Sequence, residues 1–520
     1  MAGLLPVVLL LAARGGGTSA TGGSPSPGGS GDGWTPHVFQ PAALYANQCA
    51  SPRSGTDPYT HQPYPDQPGT VTEQNDWLRS WTHDLYYWYD EVQDADPALY
   101  TTPQYFDLMK TTQTDASGAP KDRFHFTYPT SQWEAMEQGS SAGYGVQWSI
   151  VQSSPPRELL VAYTVPGTPA ATAPASLVRG DKLLSVDGAD VVNATDSASI
   201  DTINSALSPA PGQSDSFTVL DPGSSTPRSF TMQARSINDQ PVLLVEALPT
   251  SAGTVGYILY NDQVASAAES ELIQAIDTLK SDGVTDLVLD LRYDGGGLLE
   301  LASELSYMIA GPSQSGGETF YLQQFNAQHP TTNPVTGAPI EPIPFLGTSQ
   351  GFSVTAGQPL PTLDLTRVFI LTGVDTCSAS EAVMNGLRGV GVKVYEFGST
   401  TCGKPYGFYP QDNCGTTYFS IEFKGVNAQG FGDFGDGFSP ANTPSSPGVV
   451  LPGCSVADDF SHALGDTSEA VLSAALAYIT SPGSCPAPSG LGSPALLARR
   501  EQIPRIRARS PLQEMLFLRR

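Results

Sequence analysis

The sequence is poor in basic residues. Lysine and arginine number 25 against 51 aspartates and glutamates, so the formal net charge of the 520 residues is -26 at pH 7. A surface of this sign repels phosphate backbones, which argues against nucleic acid as a partner. The charge gives no information about the fold. The length does, because 520 residues are too many for one ordinary hydrophobic core, and it predicts two or three domains joined by linkers.

Long apolar runs are equally scarce. The N-terminal MAGLLPVVLLLAARGGG has an apolar stretch of signal-peptide length that is too short to anchor the chain across a bilayer. We interpret residues 1–45 as a signal-like segment and a Gly/Ser/Pro tether, with a disordered apolar N-terminus as the alternative. Arg14 stands where a bacterial lipoprotein would carry its lipidated cysteine, so lipidation at that position is excluded. No later segment offers about 20 uninterrupted apolar residues, and no internal membrane span is expected.

Cysteine is rare, and its spacing excludes the common metal sites. The six cysteines form neither a CxxC pair nor a Cys/His pattern, so disulfides in an oxidising compartment are the better interpretation. Six cysteines allow 15 pairings, and the spacing does not choose among them. Two pairings would close short loops, namely Cys402 with Cys414 and Cys454 with Cys485.

Helical spacing and short β-branched runs divide the first half of the chain. Apolar residues in NDWLRSWTHDLYYWYDEV and PQYFDLMK recur at helical spacing, which predicts a small helical domain over residues 46–139. Residues 140–236 change to short runs broken by Gly and Pro, such as GYGVQWSIV and ELLVAYTV, which predict a β-rich domain. Within it TPAATAPASLVRGDKLLSVDG, residues 168–188, resembles the signature of a PDZ domain.

The PDZ resemblance implies a peptide-binding loop at Gly143, Tyr144, Gly145 and Val146. In such a loop successive main-chain N–H groups hold the terminal carboxylate of a peptide, which adds as a strand to the sheet edge. The alternative is a β-domain that only packs against its neighbours.

Strands and helices alternate over residues 237–485. VGYILY, VTDLVLDLR, TRVFILTG and VKVYEFG have the composition of strands, and AESELIQAIDTLKSDG, GLLELASELSYMIAG and SEAVMNGLRGV that of the helices between them. This alternation predicts an α/β core of βα units around a mostly parallel sheet. Residues 486–520 are basic in an otherwise acidic chain. We expect a disordered tail there, and the alternative is a segment that docks on an acidic surface or on anionic lipid.

The stretch TCSASEAVMNGLRG, residues 376–389, has two interpretations. Ser378 precedes a predicted helix and Glu381 stands three residues further on, which is the pattern of a capping box. The same serine would lie at the carboxyl edge of the sheet, where open α/β folds place their sites and N–H groups at a helix start stabilise an oxyanion. A serine nucleophile needs a base, and Lys404 follows the predicted strand VKVYEFG. An amine serves as a base at neutral pH only if the site desolvates it.

A second turn and three ordered blocks point to a family. VTDLVLDLRYDGGG, residues 284–297, ends in three glycines before a helix, and such a turn either exposes N–H groups to an anion or allows close helix packing. LVLDLRYDGGG, VFILTGVDTCSASEAVMNGL and FGSTTCGKPYG resemble, in that order, the three blocks of the C-terminal processing peptidases, also called tail-specific proteases. The PDZ-like segment precedes these blocks as it does in that family.

The resemblance implies a multidomain α/β fold with a crotonase-like (ClpP/crotonase) protease core, an N-terminal helical domain and a PDZ-like domain. It implies that no metal or cofactor takes part. The implied roles are nucleophile for Ser378, general base for Lys404, oxyanion-hole N–H groups for Ala379 and for Gly296 or Gly297, and structural support for Glu381.

The sequence departs from the family pattern near the expected base. Phe408 replaces a glutamine that orients the lysine in many members, so Thr401 or Gln411 would have to take its place. A bridge between Cys377 and Cys402 would tether the dyad and would exclude the pairing of Cys402 with Cys414.

The predicted function is a serine endopeptidase of the cell envelope, periplasmic or otherwise extracytoplasmic, that works through an acyl-enzyme. Its substrates would be unfolded proteins or peptides selected by their C-terminal tails, and membrane association through the N-terminus stays open. One alternative is a catalytically inactive member of the same fold that binds peptides or other ligands. Another is a protease that uses His83 or His125 as its base.

Overall fold

A computed structural model describes residues 34–446, 448–490 and 516–517 of the chain. The signal-like segment and most of the expected tether lie outside the described residues. Within the described ranges, every helix is either too short or too polar to cross a membrane.

Helices dominate the N-terminal region. They are Val71–Leu85, Thr102–Leu108 and Thr130–Glu137. Thr70 caps the first helix in a capping box with Glu73, which satisfies two of the otherwise unpaired amide groups of the helix start. The apolar residues of this helix, expected at helical spacing, are buried against the second helix and against Tyr418 of the core. The region is therefore packed directly on the protease-like core.

The β-rich region has a hydrophobic core of its own. Its sheet is antiparallel and ends at the strand that follows the expected peptide-binding loop. In spatial order its strands are Arg228–Gln233, Ser214–Leu220, Lys182–Val186, Glu158–Thr164 and Val146–Gln152. A helix that the sequence did not indicate, Ser197–Leu207, packs beside the sheet and is capped by Asp196.

The central sheet confirms the predicted α/β alternation. Its strands, in spatial order, are Val242–Thr250, Gly253–Tyr260, Asp286–Asp290, Arg367–Thr372, Lys393–Gly398 and Gly453–Ser455. All neighbours are parallel except the first pair, which is antiparallel and was not anticipated. The middle strand Asp286–Asp290 is buried along its whole length, which explains its continuous apolar run in the sequence.

Helices cover both faces of the central sheet. One face carries three helices, Ala268–Ser281, Leu299–Ala310 and Ala379–Gly389, whose apolar sides form the larger core. The helix Ala470–Thr480 covers the other face. Because parallel strands end together, the turns that follow Asp290, Thr372 and Gly398 meet at one edge of the sheet.

Short elements complete the fold. The additional helical turns are Ala42–Leu44, Tyr89–Glu91, Pro97–Leu99 and Pro312–Ser315. The additional strands are Gln48–Cys49, Gln67–Pro68, Phe126–Pro129, Ser140–Gly143, Ala189–Asp190, Arg235–Asn238, Gly297–Leu298, Thr319–Phe325, Ile343–Pro344, Tyr406–Gly407, Gln411–Asn413, Thr416–Phe419, Phe423–Val426, Phe438–Pro440, Val449–Leu451 and Leu516–Phe517.

Three disulfides use all six cysteines. The pairing of Cys454 with Cys485 is confirmed, and so is the bridge between Cys377 and Cys402. The pairing of Cys402 with Cys414 is wrong, because Cys414 is bonded to Cys49, 365 residues earlier in the sequence. This third bridge fixes the start of the N-terminal region to the hairpin of the core on which that region packs.

Of the tail that was expected to be disordered over 486–520, the structure describes residues 486–490 and 516–517. Ser489 and Gly490 donate main-chain hydrogen bonds to Ser455 at the end of the last sheet strand. Further along, Leu516–Phe517 forms a short strand that pairs in parallel with Gly297–Leu298. The other residues after Gly490 lie outside the described ranges.

Candidate active site

Ser378 occupies a strained turn at the edge of the sheet. It lies between the strand Arg367–Thr372 and the helix Ala379–Gly389, with φ 60° and ψ -110°, a conformation that is costly for a residue with a side chain. The residue is 1% exposed, and its Oγ has no hydrogen-bond partner among the described residues. Ser378 is the N-cap residue of the helix, and the Glu381 side chain accepts from the Ser378 N–H as the predicted capping box requires. The Ser378 Oγ itself makes no hydrogen bond of ordinary geometry to the first helical turn.

Glu381 connects the two turns that carry the predicted dyad. Its Oε2 accepts hydrogen bonds from the main-chain N–H groups of Ser378 at 2.9 Å and Lys404 at 2.8 Å. Its Oε1 accepts from the Thr401 hydroxyl at 2.5 Å and the Gly403 N–H at 2.9 Å. Burial raises the pKa of Glu381, while these donors act in the opposite direction. One buried carboxyl group thus holds both turns in a fixed relation.

Lys404 is buried between two aromatic rings. Its Nζ lies 4.8 Å from the ring centroid of Phe124 and 4.3 Å from that of Phe408, and the residue is 1% exposed. Phe408, at the position where many relatives have glutamine, therefore contacts the amine through its ring face. Phe124 comes from the N-terminal region, and nothing in its local sequence indicated a place beside the lysine.

The disulfide between Cys377 and Cys402 flanks both residues. Cys377 directly precedes Ser378, and Cys402 lies two positions before Lys404. Both half-cystines are buried together with Tyr86 and Phe124 of the N-terminal region. Although the two sulfurs lie near the Glu381 carboxylate, both are bonded to each other and are not available as thiolate ligands for a metal.

The glycine turn after Asp290 faces the start of the Ser378 helix. The Gly296 N–H donates to Oδ1 of Asp294 at 3.0 Å, so this amide is committed within the turn. Gly297 has φ 153°, and a β-carbon there would lie 2.3 Å from the Gln263 main chain, which restricts the position to glycine. Ala379 is the first residue of its helix, so its N–H has no acceptor inside that helix. Of the predicted oxyanion donors, Ala379 and Gly297 remain.

Asp294 connects the glycine turn to neighbouring residues through both its side chain and its main chain. Its Oδ2 accepts a hydrogen bond from the Gln263 amide at 2.6 Å, and its main-chain carbonyl accepts one from the Ser380 hydroxyl at 3.0 Å. Burial raises the pKa of Asp294 to about 7. The residue thereby links the turn to the helix that begins beside Ser378, a role that the sequence did not reveal.

The other predicted site residues divide into two groups. Thr401 reaches the site through its bond to Glu381, whereas Gln411 lies on a hairpin strand paired with Tyr418. His83 stacks on Phe39, with ring centroids 3.6 Å apart. His125 has its Nε2 2.8 Å from the Phe106 carbonyl and its Nδ1 3.3 Å from the Ser420 hydroxyl. Both ring nitrogens of His125 therefore have partners other than Ser378.

The predicted peptide-binding loop lies at the start of the edge strand of the β-rich region. Gly143 ends the strand that pairs with Arg235–Asn238, and Val146 begins the edge strand. The buried Tyr144 donates its hydroxyl to Asp215, and burial raises its pKa. Gly145 has φ 76°, and a β-carbon there would lie 2.3 Å from the Thr168 side chain. The loop is thus tightly constrained next to an exposed sheet edge.

Arg179, within the PDZ-like signature, links the β-rich region to the core. Its guanidinium donates to Asp458 at 2.6 Å and to the Tyr293 hydroxyl at 2.8 Å. Tyr293 immediately precedes Asp294 of the glycine turn. The segment that resembles a peptide-binding domain is therefore in contact with the turn that carries a candidate oxyanion donor.

A cleft of about 300 Å³ opens beside the loop that carries Lys404. Its lining includes Gly403, Pro405 and Tyr406 of that loop. Charged residues of both signs also line it, and its lysines form ion pairs with Glu91 and Asp433. The cleft thus lies between the loop of Lys404 and residues 115–123 of the N-terminal region, and neither Ser378 nor Lys404 lines it.

Three family models match the chain in succession. Residues 73–128 match the peptidase S41 N-terminal domain, residues 132–209 match the PDZ domain, and residues 254–407 match peptidase family S41. The third match contains Ser378, Lys404 and the glycine turn. The order of the matches is the order in which the sequence presents the predicted regions.

Two curated relatives carry the name carboxyl-terminal-processing protease. The one from Picosynechococcus sp. is 27% identical over 42% of this chain and 50% of its own length. The one from Synechocystis sp. is 27% identical over 32% of this chain and 37% of its own length. The chain thus spans half or less of the length of these relatives.

A solved structure shares the fold. The crystal structure of a Bacteroides fragilis NCTC 9343 protein assigned to the S41 proteases superposes with a TM-score of 0.56 at 21% identity. The superposition covers 78% of this chain and 98% of the other. The multidomain α/β architecture is therefore one already seen among S41 proteases.

Proposed function

Because residues 254–407 match peptidase family S41, we propose that the chain is a serine endopeptidase with Ser378 as the nucleophile and Lys404 as the general base. The observation that carries this proposal is the Ser378 hydroxyl, which is buried in a strained turn with no partner among the described residues. Ser378 also holds the N-cap position of its helix, but its buried hydroxyl makes no hydrogen bond of ordinary geometry and so is available to a substrate carbonyl group. Glu381 ties the main chain of Ser378 to that of Lys404, which supports a joint role.

The chemistry follows from these positions. Ser378 Oγ attacks the carbonyl carbon of the scissile peptide bond, and the Lys404 amine accepts the hydroxyl proton. The carbonyl oxygen becomes an oxyanion, to which the N–H groups of Ala379 and Gly297 donate hydrogen bonds. Lys404 then returns the proton to the leaving amine as the C–N bond breaks, and an acyl-enzyme remains.

Deacylation uses the same groups. Lys404 removes a proton from water, and the resulting hydroxide attacks the ester carbonyl. The C–O bond to Ser378 breaks as the serine oxygen regains a proton. No metal or cofactor enters these steps, because the residues of the site supply the base and the oxyanion donors.

The proposed substrates are unstructured protein or peptide tails. The loop 143–146 precedes an edge strand, so a tail would add to that edge while the loop amides hold its terminal carboxylate. An extracytoplasmic location, which three disulfides support, would expose the enzyme to envelope proteins.

The second candidate function is a peptide-binding protein without catalysis. Phe408 favours it, because this residue replaces the glutamine that orients the lysine in many relatives. Such a protein would bind tails through the PDZ-like region and form no acyl-enzyme.

The test is cleavage of an unfolded reporter with an apolar C-terminal tail by the wild type, Ser378→Ala and Lys404→Ala. Each single variant should reduce kcat by about 1,000-fold or more. The exposed Ser281→Ala and Lys393→Ala serve as matched controls and should cleave like the wild type. A reporter whose terminal carboxylate is amidated tests selection of the tail. A wild type that is inert toward a broad set of tails and forms no acyl adduct by mass spectrometry would leave the peptide-binding function instead.

A further inference from the structure

A segment near the end of the chain lies against the glycine turn of the candidate site. Leu516–Phe517 pairs in parallel with Gly297–Leu298, and the register places Leu516 beside Gly297. Gly297 is a candidate oxyanion donor, so this segment forms a strand directly beside the position where a carbonyl group would react. The chain between Gly490 and this strand is long enough to reach it, since the 25 residues from 491 to 515 can span up to about 83 Å.

The same segment also contacts the loop of the candidate base. It lies against the strand Tyr406–Gly407, which begins two residues after Lys404. Leu516–Phe517 therefore lies between the two turns that the proposed mechanism requires. In the proposed mechanism the reacting carbonyl group lies beside Gly297, so a substrate strand would lie next to the same segment.

The strand Gly297–Leu298 has a single edge that remains for another strand. Its other side is already occupied, because Gln263 bridges to Gly297 and the Leu298 N–H donates to the Gln263 carbonyl at 2.8 Å. An extended peptide pairs with a strand through its main-chain groups, and each edge accepts one partner. The described tail residues and an incoming substrate therefore compete for one edge.

We propose that the segment around Leu516–Phe517 occupies the substrate strand position, so that the chain blocks its own active site until a substrate displaces it. This inference rests on the proposed peptidase function and adds its regulation. Because the segment is covalently attached, its effective concentration at the site is high, on the order of mM, even if its intrinsic affinity is low.

The positive charge of residues 491–520 favours their binding to the rest of the chain, which is acidic. Residues 491–520 contain seven arginines and two glutamates, whereas the whole chain has a formal net charge of -26. Opposite charge keeps such a tail near the rest of the molecule, and salt weakens the attraction. Docking of the tail on an acidic surface was one of the interpretations of the sequence.

The test compares the full chain with a variant that cannot form the strand, Leu516→Pro/Phe517→Pro. Proline removes the main-chain N–H groups of the pair and leaves the rest of the chain unchanged. The matched control is Leu496→Pro/Leu497→Pro, which alters the same tail outside the described strand. Two measurements are made, hydrogen exchange of the amides in residues 291–299 and the kinetics of reporter cleavage.

The strand variant should exchange the amide of Gly297 about tenfold faster than the full chain, whereas that of Leu298, which is bonded to the Gln263 carbonyl, should keep its rate. Its KM for the reporter should fall about tenfold with kcat unchanged. The control variant should match the wild type in both measurements. A synthetic peptide of residues 511–520 should inhibit the strand variant competitively, and a scrambled peptide should not.

Unchanged exchange would show that the segment does not occupy the edge in solution, which overturns the proposal. Faster exchange with unchanged KM would show that it docks without blocking substrate, and this also overturns it. If neither the full chain nor the variant cleaves any reporter, the proposed peptidase function fails. Hydrogen exchange and peptide binding then still report whether the segment occupies the edge, so the two failures remain distinguishable.

Discussion

Cys377 is bonded to Cys402, and this bridge joins the turn of the proposed nucleophile to the loop of the proposed base. Both half-cystines are buried, and the other two disulfides, Cys49–Cys414 and Cys454–Cys485, lie at least ten positions from Ser378 and Lys404 in the sequence. The position of the bridge makes the relative placement of the dyad depend on the oxidation state of the protein.

Loss of this bridge should therefore reduce activity. We expect Cys377→Ser/Cys402→Ser to lower kcat at least tenfold and the free energy of unfolding by about 3 kcal/mol, because the disulfide limits the unfolded chain. Reporter cleavage and denaturant unfolding measure the two effects. Cys454→Ser/Cys485→Ser is the matched control, because it removes a bridge of similar loop length away from the site and should leave kcat unchanged. Equal kcat in both double variants would contradict the role assigned to the bridge.

Glu381 should be required for both stability and activity. In Glu381→Gln one oxygen becomes an NH₂ group that faces N–H donors, so hydrogen bonds to Ser378 and Lys404 or to Thr401 and Gly403 are lost. We expect destabilisation of about 3 kcal/mol and a loss of kcat of about 100-fold. Thermal unfolding and reporter kinetics are the measurements.

Substitutions of Thr401 test whether the hydrogen bonds of Glu381 affect stability, activity or both. Thr401→Val removes the hydroxyl that donates to Glu381 and accepts from the Phe438 N–H, and we expect a cost of about 2 kcal/mol with a smaller fall in kcat than in the Glu381 variant. Thr401→Ser keeps the hydroxyl and should retain kcat. If Thr401→Val and Thr401→Ser behave alike, the hydroxyl does not position Glu381.

Stability should fall as the pH rises from 6 to 9. Burial, followed by the charge of the nearby Glu269, raises the pKa of Glu304 to about 9, whereas the unfolded group titrates near its ordinary value of 4.5. Between about pH 4.5 and pH 9, Glu304 therefore keeps its proton in the folded protein but has lost it in the unfolded chain. The stabilisation is complete below about pH 4.5 and is lost as the pH rises through about 9, with a slope of at most about 1.4 kcal/mol per pH unit. Denaturant unfolding at several pH values measures it.

Glu304→Gln tests whether Glu304 causes the dependence of the free energy of unfolding on pH. The amide keeps an acceptor for the Gln350 N–H but does not titrate, so stability should depend less on pH in this variant. The exposed Asp277→Asn also replaces a carboxyl group by an amide, on a neighbouring helix, and should leave the slope as it is. A slope that is unchanged in Glu304→Gln would assign the proton uptake to other buried carboxyl groups.

The loop of the PDZ-like region offers a matched pair of glycines. Gly145 and Gly167 have φ of 76° and 77°, but a β-carbon at Gly145 would meet Thr168 at 2.3 Å, whereas one at Gly167 would meet nothing within 4 Å. Gly167→Ala should cost about 1 kcal/mol through the backbone alone. Gly145→Ala should cost at least about 2 kcal/mol and raise KM for a tailed reporter several-fold, because it distorts the loop. Equal effects of the two substitutions on KM would argue against tail binding at this loop.

The positions of Ser378, Glu381 and Lys404 were predictable because they follow from strand order. Parallel strands end at one edge, so residues after Thr372 and after Gly398 had to meet there. The strained turn at Ser378 was not predictable, since the same letters also fit an ordinary helix cap.

Contributions from distant sequence were missed. Phe124 is 280 residues before Lys404, and nothing in its surroundings distinguishes it from any other core aromatic. The partner of Cys414 was missed for the same reason, because Cys49 is 365 residues away and shorter loops were available. The strand at Leu516–Phe517 lies in a basic segment without periodicity, so composition alone indicated disorder.

The bridge between Cys49 and Cys414 also sets an order of maturation. A chain that emerges from its N-terminus presents Cys49 first, and the partner follows 365 residues later. At a synthesis rate of about 5–20 residues per second this interval is roughly 20–70 s. Throughout that time Cys49 must remain a thiol or a reversible mixed disulfide while Cys377 and Cys402 also appear. The N-terminal region, which carries Phe124 to the candidate site, is bonded covalently to the core only after the chain has been made as far as Cys414.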